Sequence, residues 1–226
     1  MSPTTHIVGA VQAIIWDLDG VIIDSEEDHR KAWQRLAHET GKEFTDAQFA
    51  ITFGWRNDAI IPTVWGAVSA DELQALADRK ETYYREYVRE TAAFLPGVQE
   101  LMSALHDAGY PQALGSSAPI ANIEQVKEVL GLGRYMNTLV SGETVPHGKP
   151  APDIFLKAAR ELGVAPDHSL VIEDAVAGIA AARAGGMFSI AVAGERQLPG
   201  LQVANIVVHT LTEVTIERIQ ALTQPA

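Results

Sequence analysis

The chain contains no cysteine, few basic residues and no long apolar run. Without cysteine there are no disulfides, thiolate metal sites or cysteine nucleophiles, which fits a reducing compartment. Seventeen Lys and Arg stand against 29 Asp and Glu, a net charge of −12. So acidic a chain has no general attraction for nucleic acid or an anionic membrane, and neither is expected as a partner. An anionic substrate would therefore need a local positive site, most simply one that includes a metal. No apolar run is long enough to span a bilayer, and residues 1–11 lack the pattern of a signal peptide. The expected location is the cytoplasm. The apolar share of 47% and charged share of 20% are those of an ordinary globular protein. At 226 residues, one core domain with a smaller insert is expected, large enough to bury a core without covalent staples.

What is present centres on Ala13-Ile14-Ile15-Trp16-Asp17-Leu18-Asp19-Gly20-Val21-Ile22-Ile23-Asp24. A short apolar run reads as a buried strand, here about Gln12–Asp17, and it delivers two carboxylates one residue apart. In an open α/β sheet, ligands sit just beyond the carboxyl ends of the strands, so Asp17 and Asp19 stand at the lip of a site.

The next stretch is helical. His29, Ala32, Trp33, Leu36 and Ala37 share one face of a helix ending near Gly41. A shorter helix over Asp58–Trp65 is interrupted by Pro62. A capped start at Ser69 with Glu72 three residues on opens a long helix to about Val88. Pro96-Gly97 punctuates the chain. Thereafter strands alternate with helices: strands at Gln112–Gly115, Thr138–Ser141, Ser169–Ile172, Phe188–Val192 and Ile206–Val208; helices at Val98–Ala108, Pro119–Leu130, Asp153–Leu162, Ala175–Ala184 and Glu213–Leu222. This order predicts an α/β fold, a doubly wound parallel-sheet core with an inserted all-helical cap domain. The core comprises 1–24 and 92–226, and the cap 25–91.

The polar residues at the carboxyl ends of these strands are Asp17 and Asp19, then Ser116 and Ser117, then Lys149 through a loop, then Glu173 and Asp174. Topology gathers them on one edge. Clustered carboxylates repel one another unless they take up protons or share a cation. Magnesium prefers oxygen ligands, one or two carboxylates with substrate phosphate and water. Asp17, Asp174 and the backbone carbonyl of Asp19 suit it. Lys149 and Ser116 suit phosphoryl oxygens, Asp17 can attack a phosphoryl group held there, and Asp19 can carry the proton. Each feature alone has a plainer explanation. Asp-x-Asp-Gly makes turns, Ser116-Ser117 can cap the following helix, Lys149 can be a loop lysine, and Glu173-Asp174 can complement a helix dipole. Their arrival in order, each after a strand, favours chemistry.

The stretches Trp16–Ser25, Gly115-Ser116-Ser117, Gly148–Asp153 and Val171–Ile179 resemble the four motifs of the haloacid dehalogenase superfamily. In order and context the chain is most similar to the β-phosphoglucomutase-like branch, over about Ile14 to Val208. The resemblance implies Asp17 as nucleophile and metal ligand and Asp19 as general acid/base. It also implies Ser116 and Lys149 as phosphoryl binders, and Asp174, supported by Glu173, as ligand of Mg2+. Such proteins can carry a cis Lys-Pro bond, here Lys149-Pro150. Ser25 and Thr91–Gly97 match the hinge strands. His29, Trp33, Gly54 and Lys80 match cap positions that face the site in the mutase.

One departure matters. The mutase holds the substrate's second phosphate with a cap arginine a few residues after the position of Gly54. This chain has Asn57 there and Arg56 one residue earlier, a rotation of about 100° on a helix, with bulky Phe53 and Trp55 nearby. Either Arg56 reaches in from a differently wound loop or it faces solvent. The departure favours a Mg2+-dependent phosphatase of small phosphorylated metabolites, sugar phosphates above all, acting through an aspartyl-phosphate. The alternative is a phosphosugar mutase. A non-catalytic binding protein is a lesser reading, since none of the core acids nor the lysine is missing. A dehalogenase, which needs no magnesium site, fits poorly. A monomer is expected. His38, His106, His147, His168 and His209 are read as structural or surface residues, and Asp24 as a cap of the first inserted helix.

Overall fold

The computed structural model describes residues 10–52 and 55–222. The chain divides into two compact units, 1–24 with 93–226 and 25–92. The Phe53 and Gly54 positions invoked above lie outside the described residues.

The first unit is built on a six-stranded parallel sheet. Its strands are β1 (Ala13–Trp16), β2 (Gln112–Ser116), β3 (Thr138–Ser141), β4 (Ser169–Glu173), β5 (Phe188–Val192) and β6 (Ile206–Val208). The spatial order is β3-β2-β1-β4-β5-β6. The chain winds outward from β1 through β2 to β3, then returns to the other side of β1 as β4. The β1/β4 boundary is thus the switch point where such sheets open a ligand crevice. Every residue of β1, β2, β4 and β5 is buried, as expected of parallel strands covered on both faces. Buried polar groups in this layer are paired: Trp16 Nε1 donates to Gln112 Oε1 (2.9 Å), whose Nε2 donates to the Met102 carbonyl (2.9 Å).

The expected helix over Asp153–Leu162 is present with those bounds, and its Ile154, Phe155, Ala158 and Ala159 are fully buried against Ile15, Ala113, Val140 and Val171. Burying an aromatic such as Phe155 contributes roughly 1.5–3 kcal/mol. Gly115 lets this helix approach β2, since a Cβ there would lie 3.1 Å from Ile154. The final helix is shorter than expected, Ile216–Gln220. Glu213 does not start it. Instead Glu213 completes a capping box with Thr210 around a single 3₁₀ turn, and Thr215 caps the helix that follows.

Among its described residues the second unit has four helices: Glu26–Glu39, Asp46–Thr52, Asn57–Trp65 and Ala70–Thr91, here α1 to α4. Helix α1 buries Ala32, Trp33, Leu36 and Ala37, and α4 buries Leu76, Ala77, Tyr83, Tyr84 and Val88. Ser69 caps α4 through Glu72 N–H as the sequence predicts (3.2 Å). Helix α2 was not foreseen, although Thr45 and Gln48 exchange side-chain and backbone hydrogen bonds in the capping-box manner. Helix α3 runs through Pro62 rather than breaking. The bond the proline forfeits would go to the carbonyl of Asp58, an exposed first-turn residue that water can serve.

Candidate active site at the sheet switch point

Asp17 continues β1, its N–H donating to the Ile172 carbonyl (2.9 Å). Register pairs Trp16 with Ile172, so Asp17 emerges level with Glu173, the last residue of β4. Lys149 Nζ joins them, 2.7 Å from Asp17 Oδ1 and 2.7 Å from Glu173 Oε1. The ammonium also lies 4.8 Å from the Phe155 ring centroid. Lys149 comes from the loop after β3 and precedes a cis proline bond to Pro150. One oxygen from each of Asp17, Glu173 and Asp174 lies within 4.8 Å of the others. Four of the sequence-predicted residues are therefore together.

Two glycines make this close approach feasible. A Cβ on Gly178, in the helix after β4, would lie 1.7 Å from Glu173 Oε1. Glu173 thus folds over a bare backbone while its Oε2 accepts the Ala175 N–H (2.5 Å). Gly20 has φ +76°, and a Cβ there would lie 2.3 Å from Asp174 Oδ2, so the turn after β1 abuts Asp174. That turn is closed by Ile22 and Ile23 N–H to the Leu18 carbonyl and Gly20 N–H to the Ile23 carbonyl. Asp19 sits in it, partly buried. Its side chain is not part of the three-carboxylate group.

Ser116 ends β2 and is buried, its Oγ accepting the Ala118 N–H (3.1 Å). Ser117 is exposed. Neither serine side chain caps the following helix. Its Ile120 N–H is taken by Glu143 Oε2 (2.9 Å), which removes the plainer explanation for the serine pair. Three other histidines bond locally: His168 Nδ1 is 2.7 Å from the Ala10 carbonyl, His209 Nδ1 is 2.7 Å from that of Gly194, and exposed His147 meets Asp153.

Electrostatics sets what this cluster can hold. Burial pushes Asp17 well above the usual carboxylate range; Lys149 pulls it back, and Glu173 and Asp174 add to the rise. Lys149 loses some basicity to burial, but Asp17 and Glu173 outweigh this and keep it above its ordinary value, so it stays an ammonium. Asp174 is raised to about 6 by burial and Glu173, against Arg196 and Lys149. Three carboxylates thus face Lys149 and Arg196, and acids outnumber cationic side chains. The donors are all carboxylate oxygens, with no sulfur or imidazole. Such a set fits a hard divalent cation and relieves its own repulsion by binding one.

Sequence reasoning missed Arg196. Its Nη2 donates to Asp174 Oδ2 (2.9 Å), and it reaches the loop carbonyls after β4 and β5. An arginine in a loop of ordinary composition carries no motif to find it by.

The helical unit contains a second polar cluster. Lys80 Nζ lies 2.8 Å from His29 Nδ1 and 2.9 Å from Glu81 Oε1, and Asn57 Nδ2 donates to the same Glu81 oxygen (2.8 Å). Lys80 is 5.4 Å from the Trp33 and Tyr84 ring centroids, and Tyr84 stacks on His29 at 4.1 Å. Burial, then Lys80, hold His29 well below its ordinary pKa despite Glu81, so the imidazole is neutral at pH 7. Four of the five expected residues of this unit, His29, Trp33, Asn57 and Lys80, thus meet around the Lys80–Glu81 pair. The fifth, Arg56, is not among them: its side chain is 82% exposed and pairs with Asp58 (3.3 Å). Asp24 is exposed, and the N-cap position of α1 is Ser25, whose side chain makes no capping bond.

The chain is similar to several known proteins. The fructose-1-phosphate phosphatase YqaB of Escherichia coli (strain K12) is 36% identical over 184 residues, 79% of this chain and 95% of that protein. Hexitol phosphatase B of Escherichia coli O157:H7 is 32% identical over 211 residues, 91% and 95% of the two chains. A crystal structure of β-phosphoglucomutase from Clostridium difficile superposes with a TM-score of 0.82 at 30% identity, over 93% of this chain and 96% of that one. The model of the haloacid dehalogenase-like hydrolases matches residues 11–186, from β1 past the helix that packs on Glu173. The chain therefore belongs to the haloacid dehalogenase-like hydrolases, as an enzyme of that family's phosphohydrolase and phosphotransferase type.

Proposed function

We propose that the protein is a Mg2+-dependent phosphatase of small sugar phosphates that works through an aspartyl-phosphate on Asp17. The observation that carries this reading is Lys149 bridging Asp17 and Glu173 at 2.7 Å each, with Asp174 alongside. Asp17, Asp174 and the Asp19 carbonyl would hold Mg2+, with Glu173 in support. When bound, the ion neutralises charge on the phosphoryl oxygens.

Lys149 and Ser116 hold and polarise the phosphoryl group. A carboxylate oxygen of Asp17 attacks phosphorus as the bond to the sugar oxygen breaks, and Asp19 gives that oxygen a proton. Asp19 then takes a proton from water. The water oxygen attacks the phosphoryl group, phosphate leaves, and the Asp17 carboxylate is restored. His29, Trp33, Lys80 and Asn57 are assigned to the substrate's sugar portion. A neutral imidazole and an amide hydrogen-bond hydroxyls without requiring a charged partner.

The names of YqaB and hexitol phosphatase B support sugar or polyol monophosphates as the substrate class. The mutase reading rests on the likeness to β-phosphoglucomutase. Against it stand Asn57, already engaged by Glu81, and Arg56, turned to Asp58 in solvent. The test is a panel of phosphorylated sugars, hexitols, nucleotides and pyrophosphate with Mg2+, plus β-glucose 1-phosphate with a trace of its bisphosphate. Free phosphate from sugar phosphates is the expected result. Glucose 6-phosphate in place of free phosphate would establish the mutase. No turnover on any compound would leave a binding protein.

A further inference from the structure

The guanidinium of Arg196 makes more contacts than a loop arginine needs. Nη2 donates to Asp174 Oδ2 at 2.9 Å, to the Asp174 carbonyl at 3.2 Å and to the Val192 carbonyl at 3.1 Å. Nε donates to the Ala193 carbonyl at 3.2 Å. The Arg196 N–H also closes a turn onto Ala193 (3.0 Å). Three main-chain carbonyls from the ends of β4 and β5 therefore fix the guanidinium whether or not the Asp174 carboxylate is engaged.

An arginine beside a cation site has two possible effects. A mobile one competes with the cation and must leave when it binds. An anchored one occupies one carboxylate oxygen and presents the other. The main-chain contacts of Arg196 make it the anchored kind. Its side chain is 48% exposed while that of Asp174 is 15% exposed, so solvent screens its charge from an incoming cation more than from Asp174. Gly20 abuts the same oxygen, Asp174 Oδ2, without room for a Cβ. Asp174 Oδ2 is thus held by Arg196 Nη2 and packed against a glycine turn.

We infer that Arg196 is a positioning residue for the cation site: it holds Asp174 by Oδ2, orients the remaining oxygen toward Asp17 and Glu173, and so sets the affinity for the divalent ion. The inference rests on the Mg2+ reading proposed above. Groups that orient metal ligands from outside typically change affinity 10–100-fold when removed.

The experiment is calorimetric titration of Mg2+ alone, without substrate, into wild type, Arg196→Gln, Arg196→Lys and Asp174→Asn, with circular dichroism to verify folding. Wild type should bind one Mg2+ and Asp174→Asn should lose most of that binding. Arg196→Gln should bind roughly 10–100-fold more weakly, with Arg196→Lys between it and wild type, because it restores the charge but not the fork. At saturating Mg2+ the kcat of Arg196→Gln on the best substrate should recover, a response that a general loss of structure would not give. Unchanged or tighter binding by a folded Arg196→Gln overturns the inference and leaves the Mg2+ reading standing. No binding by wild type overturns both.

Discussion

Each unit buries a lysine against a glutamate, and the two pairs differ in their charge balance. At the sheet edge, Lys149 is shared by Asp17 and Glu173 while Arg196 meets Asp174 beside them, so three carboxylates face two cationic side chains. In the helical unit, Lys80 meets Glu81, and it also lies beside the neutral His29. The first site, with more acids than cationic side chains, suits a divalent ion. The second, with its Lys80–Glu81 pair and neutral imidazole, suits uncharged polar groups. A buried lysine therefore indicates little by itself; the count of acids around it indicates what the site is missing.

The comparison is open to direct attack, beginning where the effect is largest. Lys149→Ala should lower phosphate release about 10³-fold, the cost of removing a preorganised group that stabilises transition-state charge, and extra substrate should not restore it. Lys80→Ala should lower kcat/KM by only about 10- to 100-fold, mostly through KM, because it supports binding rather than chemistry. Equal losses in kcat would erase the distinction between the two lysines.

Removing the cation probes the imbalance itself. Chelation should stop turnover, and Mg2+ should raise the melting temperature more at pH 7.5 than at pH 5. The sign follows from Asp174, raised from 3.8 to about 6 without a cation. A folded-state pKa above the unfolded one favours the protonated fold. That stability, roughly 3 kcal/mol for this rise, is present below about pH 4 and lost as pH climbs through 6. Mg2+ binds the ionised form and offsets the loss where it is greatest. His29 runs the opposite way. Its lowered pKa makes its contribution present above its ordinary value of 6.5 and lost as pH falls below it. Helical-unit amides should thus exchange faster with solvent in acid while metal-free sheet-edge amides are protected there. A common pH trend in both units, read by hydrogen exchange, would contradict the two charge balances.

The paired replacement Lys80→Met with Glu81→Met should change stability by less than breaking the pair with Glu81→Ala alone, which leaves a buried ammonium at a cost of about 3–5 kcal/mol. Chemical denaturation compares them. The smallest effect belongs to Arg56→Ala: with an exposed side chain on a local partner, it should alter KM less than about twofold. A tenfold rise in KM would restore Arg56 as a substrate-binding residue.

The sheet edge was legible in the sequence because topology does the gathering. Once strands alternate with helices, residues after their carboxyl ends converge, so Asp17, Lys149, Glu173 and Asp174 were identifiable without a structure. Ser116 was also placed, although sequence alone left a helix cap as its simpler role. The second cluster was legible only in part. His29 and Lys80 came through resemblance, whereas Glu81 follows Lys80 directly, and neighbours on a helix ordinarily face apart. Reading it as a buried partner required the packed unit. Arg56 illustrates the same limit, since one residue of offset decides between a ligand and a solvent-facing pair. Helix α2 was missed for a different reason: its capping signal was present at Thr45 and Gln48, but seven residues are too few for a period to register. Arg196 gave no signal, because all but one of its partners are main-chain carbonyls, which every sequence supplies.

The central claim, that Asp17 is the group receiving the phosphoryl group beside a divalent ion, is tested most directly by phosphate release from wild type and Asp17→Asn side by side in saturating Mg2+. The account predicts a folded variant whose rate falls on the order of 10⁴-fold or more, as when a covalent nucleophile is removed. A folded Asp17→Asn protein that releases phosphate within tenfold of wild type would contradict it.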